Sequence, residues 1–363
     1  MTTTVNSKSE VVQSGTTISI DAMGGDLGPA AIVAGIVRVA QKNKRIHFLL
    51  HGQEEQLQKL VAKRQSLKGR VTIIDSLEEI KMEDKPSHVV RHGKATSMWS
   101  AIDSVRDGAA SVCVSCGNTG ALMAISMVRL RKLNGVNRPA IAILWPSSNP
   151  MGFNVMLDVG ADVRADPKDL LQYALMGVSY ARNGLGIAKP RVGLLNVGTE
   201  EHKGRSELKE AYSKIEHCQV EANFVFEGFV EGGDIPGSKV DVIVTDGFTG
   251  NVALKTAEGT ASLIGYLLRE AFRFSPLSKL ASILAFTSLN RFKMRIDPRR
   301  VNGGVFLGLN GTVVKSHGSA DATGIEAAIK LAFELSKNDF LQKVAARVAY
   351  AGTIDNDVYD DAN

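Results

Sequence analysis

The chain has 363 residues, 44% hydrophobic and 22% charged, which suits one large or two average globular domains and excludes a disordered or collagen-like chain. Its net charge of +5 favours an anionic substrate, an acidic partner or an anionic membrane surface, and no long basic run points to nucleic acid. Three cysteines make no disulfide framework, and no apolar run of about 18 residues predicts a transmembrane helix.

Residues 1–16 are polar and lack the apolar core of a signal peptide, so we expect a disordered tail on a cytoplasmic protein. Beyond the tail, short β-branched runs end in Gly/Asn/Asp/Thr turns, and each turn leads into a helical stretch. These strand-and-turn units are 17–26, 45–52, 110–120, 190–201 and 241–250. The order predicts an α/β protein with a mostly parallel sheet, helices on both faces and ligands at the carboxyl ends of the strands.

Two segments interrupt this rhythm. Residues 140–166 read as two strands joined by a Pro/Ser/Asn turn. Residues 275–300 are apolar and basic together; their apolar residues spread around a helical wheel, and charged and apolar residues alternate with a period of two from Arg291 to Ile296. Two interpretations of 275–300 stay open: a buried or dimer-forming helical hairpin, or a tip that touches an anionic membrane. The basic residues of that tip are Lys279, Arg291, Lys293, Arg295, Arg299 and Arg300.

Three glycine-containing turns are candidate anion sites. In 21–26 (DAMGGD) the glycines allow close backbone approach, and the alternative is an ordinary turn with Asp26 as helix cap. In 115–120 (SCGNTG) and 246–251 (DGFTGN) backbone N–H groups at a helix start can hold an anion, and the alternative is simple capping by Asn, Thr or Asp. Cys113 and Cys116 are spaced C-x-x-C, but a strand sends them to opposite faces, which favours core packing over a redox or zinc role.

Two further turns carry ionisable side chains. The turn 196–204 (NVGTEEHKG) follows a strand and offers hydroxyl, carboxylate and ammonium groups, although a charged loop is often only solvated. The turn 314–321 (VKSHGSAD) combines Lys315, Ser316 and His317, which suit phosphate binding or protonation of a leaving group, and the alternative is again a helix cap.

These segments, in this order, resemble the bacterial phosphate acyltransferases of phospholipid synthesis, the PlsX family. The resemblance spans about residues 17–345. It is carried by ISIDAMGGD (18–26), SCGNTGALMA (115–124), NRPAIA (137–142), LDVGADV (157–163), LLQYALMG (170–177), RVGLLNVGTEEHKG (191–204), the stretch 229–255 with DIPGSKVDVIVTDGFTGNVALK, and GLNGTVVKSHGSADA (308–322).

The resemblance implies a Rossmann-like α/β/α sandwich similar to isocitrate and isopropylmalate dehydrogenases and to phosphotransacetylase. It implies that acyl-(acyl carrier protein) and inorganic phosphate are converted to acyl phosphate and free carrier protein. It also implies a homodimer that can sit peripherally at the inner face of the plasma membrane, where a membrane glycerol-3-phosphate acyltransferase uses the product. The family carries Ala where Cys116 stands, which argues against a cysteine nucleophile.

Phosphate is itself a nucleophile, so the protein need only orient it and stabilise the oxyanion. We therefore expect no cofactor and no metal. Lys203, Asp246 and His317 are the expected catalytic residues: Lys203 offsets charge, and His317 or Asp246 handles the proton. The turns 118–120 and 249–251, with Ser316 and His317, are expected to hold phosphate. The full set of expected binding residues is Asp21, Gly24, Gly25, Asp26, Asn118, Thr119, Gly120, Asn196, Gly198, Thr199, Glu200, Thr249, Gly250, Asn251 and Ser316.

Two other functions remain as alternatives. An NAD- and metal-dependent decarboxylating dehydrogenase would share the fold but needs clustered carboxylates, and no convincing Asp triplet is present. A non-catalytic, membrane-peripheral scaffold is the second alternative. For the domains we expect 17–145 plus 303–350 as a first α/β domain and 146–302 as a second, which includes the apolar-basic tip 275–300.

Overall fold

The computed structural model describes residues 15–200, 202–296, 303–337 and 340–348. The expected tail lies outside them apart from its last two residues, and so do 297–302 of the segment around the tip. The strands are β1 (Thr16–Asp21), β2 (Ile46–Gly52), β3 (Val71–Asp75), β4 (Val112–Ser115), β5 (Ala140–Pro146), β6 (Phe153–Leu157), β7 (Arg191–Leu195), β8 (Val225–Val230), β9 (Val242–Val244), β10 (Gly304–Leu307) and β11 (Thr312–Lys315).

Helices follow most strands, as the alternating pattern predicts. They are α1 (Gly28–Lys42), α2 (Glu54–Val61), α3 (Pro86–His92), α4 (Ser97–Arg106), α5 (Thr119–Arg129), α6 (Pro167–Leu185), α7 (Ser206–Cys218), α8 (Gly247–Arg273), α9 (Pro276–Leu284), α10 (Phe286–Ile296) and α11 (Ala322–Ser336). Three short 3₁₀ turns and a helical stretch at 340–348 complete the described chain.

All of these strands form one sheet in the order β3-β2-β1-β4-β11-β10-β5-β6-β9-β7-β8. Neighbouring strands are parallel from β3 to β11 along this order, and again from β6 to β8. Between these two sets, β10 is antiparallel to both neighbours and β5 is antiparallel to β6. Consequently β1 to β4, β11 and β5 run one way, and β6 to β9 run the other way. The carboxyl ends of the two sets of strands therefore lie at opposite edges of the sheet.

Helices cover both faces of the sheet, and each face has its own apolar core. One core joins α1, α6, α7 and α11 to the sheet, and the other joins α4, α5 and the first turns of α8. Cys116 belongs to the first core and Cys113 to the second, so the expectation that the two thiols face opposite sides and pack in the core is confirmed. The α/β/α sandwich with a mostly parallel sheet is confirmed as well.

The segment 275–300 is helical as far as it is described. Residues 291–296, in which charged and apolar residues alternate, lie in α10. After this excursion the chain returns: β11 pairs with β4, and α11 packs on α1.

The two-domain division remains a prediction. Its proposed boundary falls at Trp145–Pro146, the last residues of β5, where β5 joins β10 of the first half to β6 of the second. This junction of antiparallel strands also forms the floor of the site described next.

Candidate functional site

Three predicted turns meet at one edge of the sheet, because β1, β4 and β11 are neighbours that run in the same direction. Asp21 ties two of them together. Its carboxylate accepts bonds from Ser97 Oγ at 2.6 Å, from Ser115 Oγ at 2.7 Å and from the N–H of Gly24 at 3.2 Å. The Asp26 N–H donates to Gly318 O at 2.8 Å and brings in the third turn.

The glycines of the 21–26 turn are required by close packing. Gly25 has φ +106°, in the region that favours glycine, and a Cβ there would lie 2.9 Å from Cys116 Cβ. A Cβ on Gly24 would lie 2.8 Å from the backbone nitrogen of Gly117. This turn therefore presses directly on the turn after β4, and Asp21, Gly24 and Gly25 shape the site from behind.

The turn after β4 opens α5. The Asn118 side chain caps the helix by accepting from the Ala121 N–H at 3.0 Å, while its amide donates to Met82 O at 2.7 Å. The N–H groups of Thr119 and Gly120, in the first turn, have no acceptor within the helix. Both residues line the adjoining cavity, where these N–H groups and the positive helix end favour an anion.

The turn after β11 supplies cationic groups. The Lys315 ammonium donates to the carbonyl oxygens of Cys116, at 3.4 Å, and Ser316. Burial, with a smaller contribution from the neighbouring Lys255, lowers the pKa of Lys315 to about 8. His317 Nδ1 accepts from the Ser319 N–H at 3.2 Å, so the proton of the neutral ring sits on Nε2, which lies 4.0 Å from Glu258. Burial, Lys255 and Lys315 lower the pKa of His317.

A cavity of about 430 Å³ lies over β5 and β10, between the first turn of α5 and the N-terminal half of α8. Its polar lining includes Thr119, Asn251, Lys255, Glu258, Lys315, Ser316 and His317, and its apolar lining includes Ile141, Ile143, Leu144, Trp145, Pro146, Val159, Leu254, Ala257 and Ala261. A pocket of this size with a few convergent polar groups is typical of a small-molecule site.

Helix α8 contributes both kinds of lining. Asn251, Lys255 and Glu258 recur along one edge of the helix, and Leu254, Ala257 and Ala261 recur along the adjacent edge, each set at spacings of three and four. The Lys255 ammonium pairs with Glu258 at 2.9 Å, so this polar edge of α8 carries a net charge close to zero.

The remaining predicted residues form a second cluster at the opposite edge, after β7 and β9. Asp246 caps α8 through the Thr249 N–H at 2.8 Å and pairs with Arg205 at 2.6 Å. Lys203 pairs with Glu200 at 2.7 Å, and both side chains are nearly half exposed. The Asn196 amide donates to Lys203 O at 3.2 Å and closes this loop, which also holds Gly198 and Thr199.

The structure thus divides the predicted residues into two groups. The first group surrounds the cavity edge: Asp21, Gly24, Gly25, Asp26, Asn118, Thr119, Gly120, Ser316 and His317. The second lies after β7 and β9: Asn196, Gly198, Thr199, Glu200, Lys203, Asp246, Thr249 and Gly250. Asn251 belongs to the start of α8 and reaches the cavity. Gly160 borders it there, since a Cβ on Gly160 would lie 2.9 Å from Asn251 Nδ2.

Two cationic residues of the cavity were left out of the predicted site. Lys315 belongs to the motif 314–321, but the sequence does not distinguish its role from those of the adjacent Ser316 and His317. Lys255 looked like an ordinary helix residue, although its spacing of four from Asn251 was a usable signal, because both then lie on one face of a helix.

The fold is that of phosphotransacetylases. A phosphotransacetylase from Streptococcus pyogenes matches 90% of this chain and 95% of its own with a TM-score of 0.57 at 17% identity. A branched-chain phosphotransacylase from Enterococcus faecalis V583 matches 89% and 99% with a TM-score of 0.56 at 12% identity. At such identities the likeness concerns the fold.

The sequence comparison is more specific. The family model described as "Fatty acid synthesis protein" matches residues 16–343, and the chain belongs to this family, the PlsX family that its motifs resemble. A protein from Ruegeria sp. (strain TM1040) named phosphate acyltransferase is 70% identical over 93% of this chain and 90% of its own length. One of the same name from Cereibacter sphaeroides (strain ATCC 17025 / ATH 2.4.3) is 64% identical over 95% and 94%.

Proposed function

We propose that this chain is a phosphate acyltransferase that moves a fatty acyl group from acyl carrier protein to inorganic phosphate. The acyltransferase activity follows from the family and from the 64–70% identity to proteins of that name. The single observation that supports the site is the cavity in which Lys255, Lys315 and His317 stand beside an apolar floor. Neither the dehydrogenase nor the scaffold alternative gains support from these relatives.

The phosphate is best accommodated at the edge where α5 begins. There the N–H groups of Thr119 and Gly120, the Ser316 hydroxyl and the Lys315 ammonium can share its charge. Lys315 is held by carbonyl oxygens and not by a carboxylate, so its charge is available to an arriving anion. The assignment of Thr249 and Gly250 to phosphate is less favoured, because Asp246 takes up the capping position of α8 beside them.

The reaction then needs orientation and oxyanion stabilisation. A phosphate oxygen attacks the thioester carbonyl carbon, the C–O bond to phosphate forms, the C–S bond breaks, and the carrier thiolate takes a proton. Positioned N–H donors stabilise the oxyanion that develops on the carbonyl oxygen. The Lys315 ammonium and the imidazolium form of His317 both line the cavity and can supply that proton. Asp246 is already committed to Arg205, and Lys203 to Glu200, so their catalytic roles rest on sequence.

The direct test is incubation of the protein with acyl-(acyl carrier protein) and phosphate, following free thiol and acyl phosphate. Asn118→Ala and His317→Ala should lower the rate at least tenfold with folding retained. Lys203→Ala tests the second cluster, and Lys59→Ala, at an exposed lysine paired with Glu55, is the matched control. Thiol release that needs no phosphate would contradict the proposed reaction, as would full turnover in the Asn118, Lys203 and His317 variants.

A carrier-protein donor is supported by charge. Acyl carrier proteins are acidic as a class, and this chain carries a surplus of basic residues. The KM for the acylated carrier should therefore rise with ionic strength, whereas the KM for phosphate should change less. A carrier KM that stays flat between low and high salt would speak against electrostatic docking.

We also propose a homodimer that associates peripherally with anionic membrane and hands its product to a glycerol-3-phosphate acyltransferase there. Among the described residues no helix is long and apolar enough to cross a membrane. Yet Leu277, Ile283, Leu284 and Phe286 are each at least two-thirds exposed in the segment 275–300, which also carries Lys279 and Arg291. Analytical ultracentrifugation tests the dimer, and flotation with anionic against neutral vesicles tests the membrane; a monomer that floats with neither kind contradicts both expectations.

A further inference from the structure

The segment that follows β3 packs against one side of the cavity. The Asn118 amide, at the start of α5, donates to Met82 O at 2.7 Å and to Asp84 O at 3.1 Å. Pro86, the first residue of α3, packs on Gly120, where a Cβ would lie 2.8 Å from Pro86 Cγ. Because Gly120 lines the cavity, α3 begins at the rim of the candidate site.

The outer surface of α3 is cationic. Residues 85–94 include no carboxylate, and their basic side chains are all exposed: Lys85, His88, Arg91, His92 and Lys94. Val89 is buried, and Arg91, two residues further on, leaves the opposite side of the helix. The three Lys and Arg side chains form no ion pair within the described part of the chain. The carboxylates that precede the helix, Glu83 and Asp84, belong to a turn in which Asp84 accepts from the Lys81 N–H at 2.8 Å.

We propose that the exposed face of α3, from Lys85 to Lys94, is the surface on which the acidic acyl carrier protein docks. This inference rests on the proposed function and gives its carrier partner a place on the chain. Opposite charges across an interface speed the encounter of two proteins and fix their relative orientation. A carrier docked on α3 would hold its acyl thioester beside Gly120, at the edge where phosphate is best accommodated.

The tip in 275–300 is another exposed basic region, but its composition suits a different partner. Its Lys279 and Arg291 stand among exposed apolar side chains such as Leu277, a mixture typical of lipid surfaces. Among residues 85–94, by contrast, no large apolar side chain is exposed. A surface that offers charge without apolar area suits an acidic, water-soluble protein better than a membrane.

Steady-state kinetics with the acyl carrier protein and phosphate tests this surface. The double variant Arg91→Glu, Lys94→Glu should raise the KM for the acyl carrier about tenfold or more, with kcat and the KM for phosphate unchanged. Acyl-pantetheine carries the same thioester without the protein, so its kcat/KM should equal that of the unaltered chain, which also shows that the variant is folded. The matched control is Lys63→Glu, Lys68→Glu, because it changes the net charge equally before β3, at the end of that strand opposite to α3.

The outcomes separate this inference from the function. A variant of α3 with the carrier KM of the control would overturn the docking surface alone. So would an equal loss of kcat/KM with acyl-pantetheine, since that would place Arg91 or Lys94 in the reaction itself. The tip variant Lys279→Glu, Arg291→Glu should leave the carrier KM unchanged without lipid, and a rise as large as that of the α3 variant would contradict the proposal. Absence of phosphate-dependent thiol release from every acyl donor would instead overturn the proposed function.

Discussion

Replacement of Lys315 by Met should stabilise the fold and weaken phosphate binding at the same time. Burial lowers the pKa of Lys315 from 10.5 to about 8 in the folded chain, and each unit corresponds to about 1.4 kcal/mol. At pH 7 the lysine is charged in both the folded and the unfolded chain, so the folded state bears a penalty of up to about 3 kcal/mol. Methionine has a similar length and no charge, and it removes this penalty.

The pH dependence of the stability difference between Lys315→Met and the unaltered chain tests the direction of this effect. The pKa is lowered on folding, so the penalty is complete below about pH 8 and disappears as pH rises from there toward 10.5. The stability difference between Lys315→Met and the unaltered chain should therefore shrink by ~1 kcal/mol between pH 7 and pH 9. Urea unfolding at the two pH values measures it.

Phosphate binding should move in the opposite direction from stability. Loss of a charged hydrogen-bond donor costs about 1.5–3 kcal/mol, which is roughly 10- to 150-fold in the dissociation constant for phosphate. Binding by the unaltered protein should weaken as pH rises through about 8, and the variant should lack this inflection. A Lys315→Met variant that is less stable than the unaltered chain at pH 7, or that binds phosphate equally well, would refute this reasoning.

Three further outcomes follow from particular contacts. Asp21→Asn should leave a buried donor opposed to Ser97 or Ser115, cost about 1–3 kcal/mol of stability, and lower kcat more than it raises the KM for phosphate, as steady-state kinetics with urea unfolding will show. Cys116→Ala should keep its activity, and a thiol-alkylating reagent should affect the activity of the variant and of the unaltered chain equally, because burial raises the pKa of this thiol to about 11. Loss of turnover in the variant would reopen a nucleophilic role for Cys116. Arg205→Ala removes the partner of Asp246. Breaking a fully buried pair costs about 3–5 kcal/mol, and the loss here should be smaller because the arginine side chain is 62% exposed; thermal unfolding measures it. A loss of activity without a change in stability would favour a direct role for the second cluster.

The elements of the fold were predictable because each is encoded locally. A β-branched run, a glycine turn and a helix-period stretch follow one another within about thirty residues, and 17–26 or 110–120 can be interpreted without knowing the rest of the chain.

Which turns would meet was harder to predict, since it depends on strand direction and not on local pattern. The turns after β4 and after β9 look alike in sequence, yet β10 and β5 reverse the direction of the sheet between them. That reversal sends the turn at 196–204 and the start of α8 to the edge opposite Asn118 and His317. Neither turn contains a residue that indicates this change of strand direction. The direction is decided by the antiparallel pairing of β5 with β10, whose paired residues, such as Ile141 and Phe306, lie about 160 residues apart in the chain.

The same reversal explains how one helix can serve both ends of the cavity. Helix α8 starts at the far edge, beside Gly160, and crosses the face of the sheet until Glu258 comes near His317. Glu258 lies seven residues after Asn251 on the helix, a rise of about 10 Å, enough to lie beside a phosphate and a thioester carbonyl. A parallel sheet without the reversal would have placed both helix starts at one edge, close enough to share an anion but with no apolar face of α8 laid along β5. The cavity, with its polar edge and its apolar floor, is therefore a consequence of the reversed strand direction in the sheet.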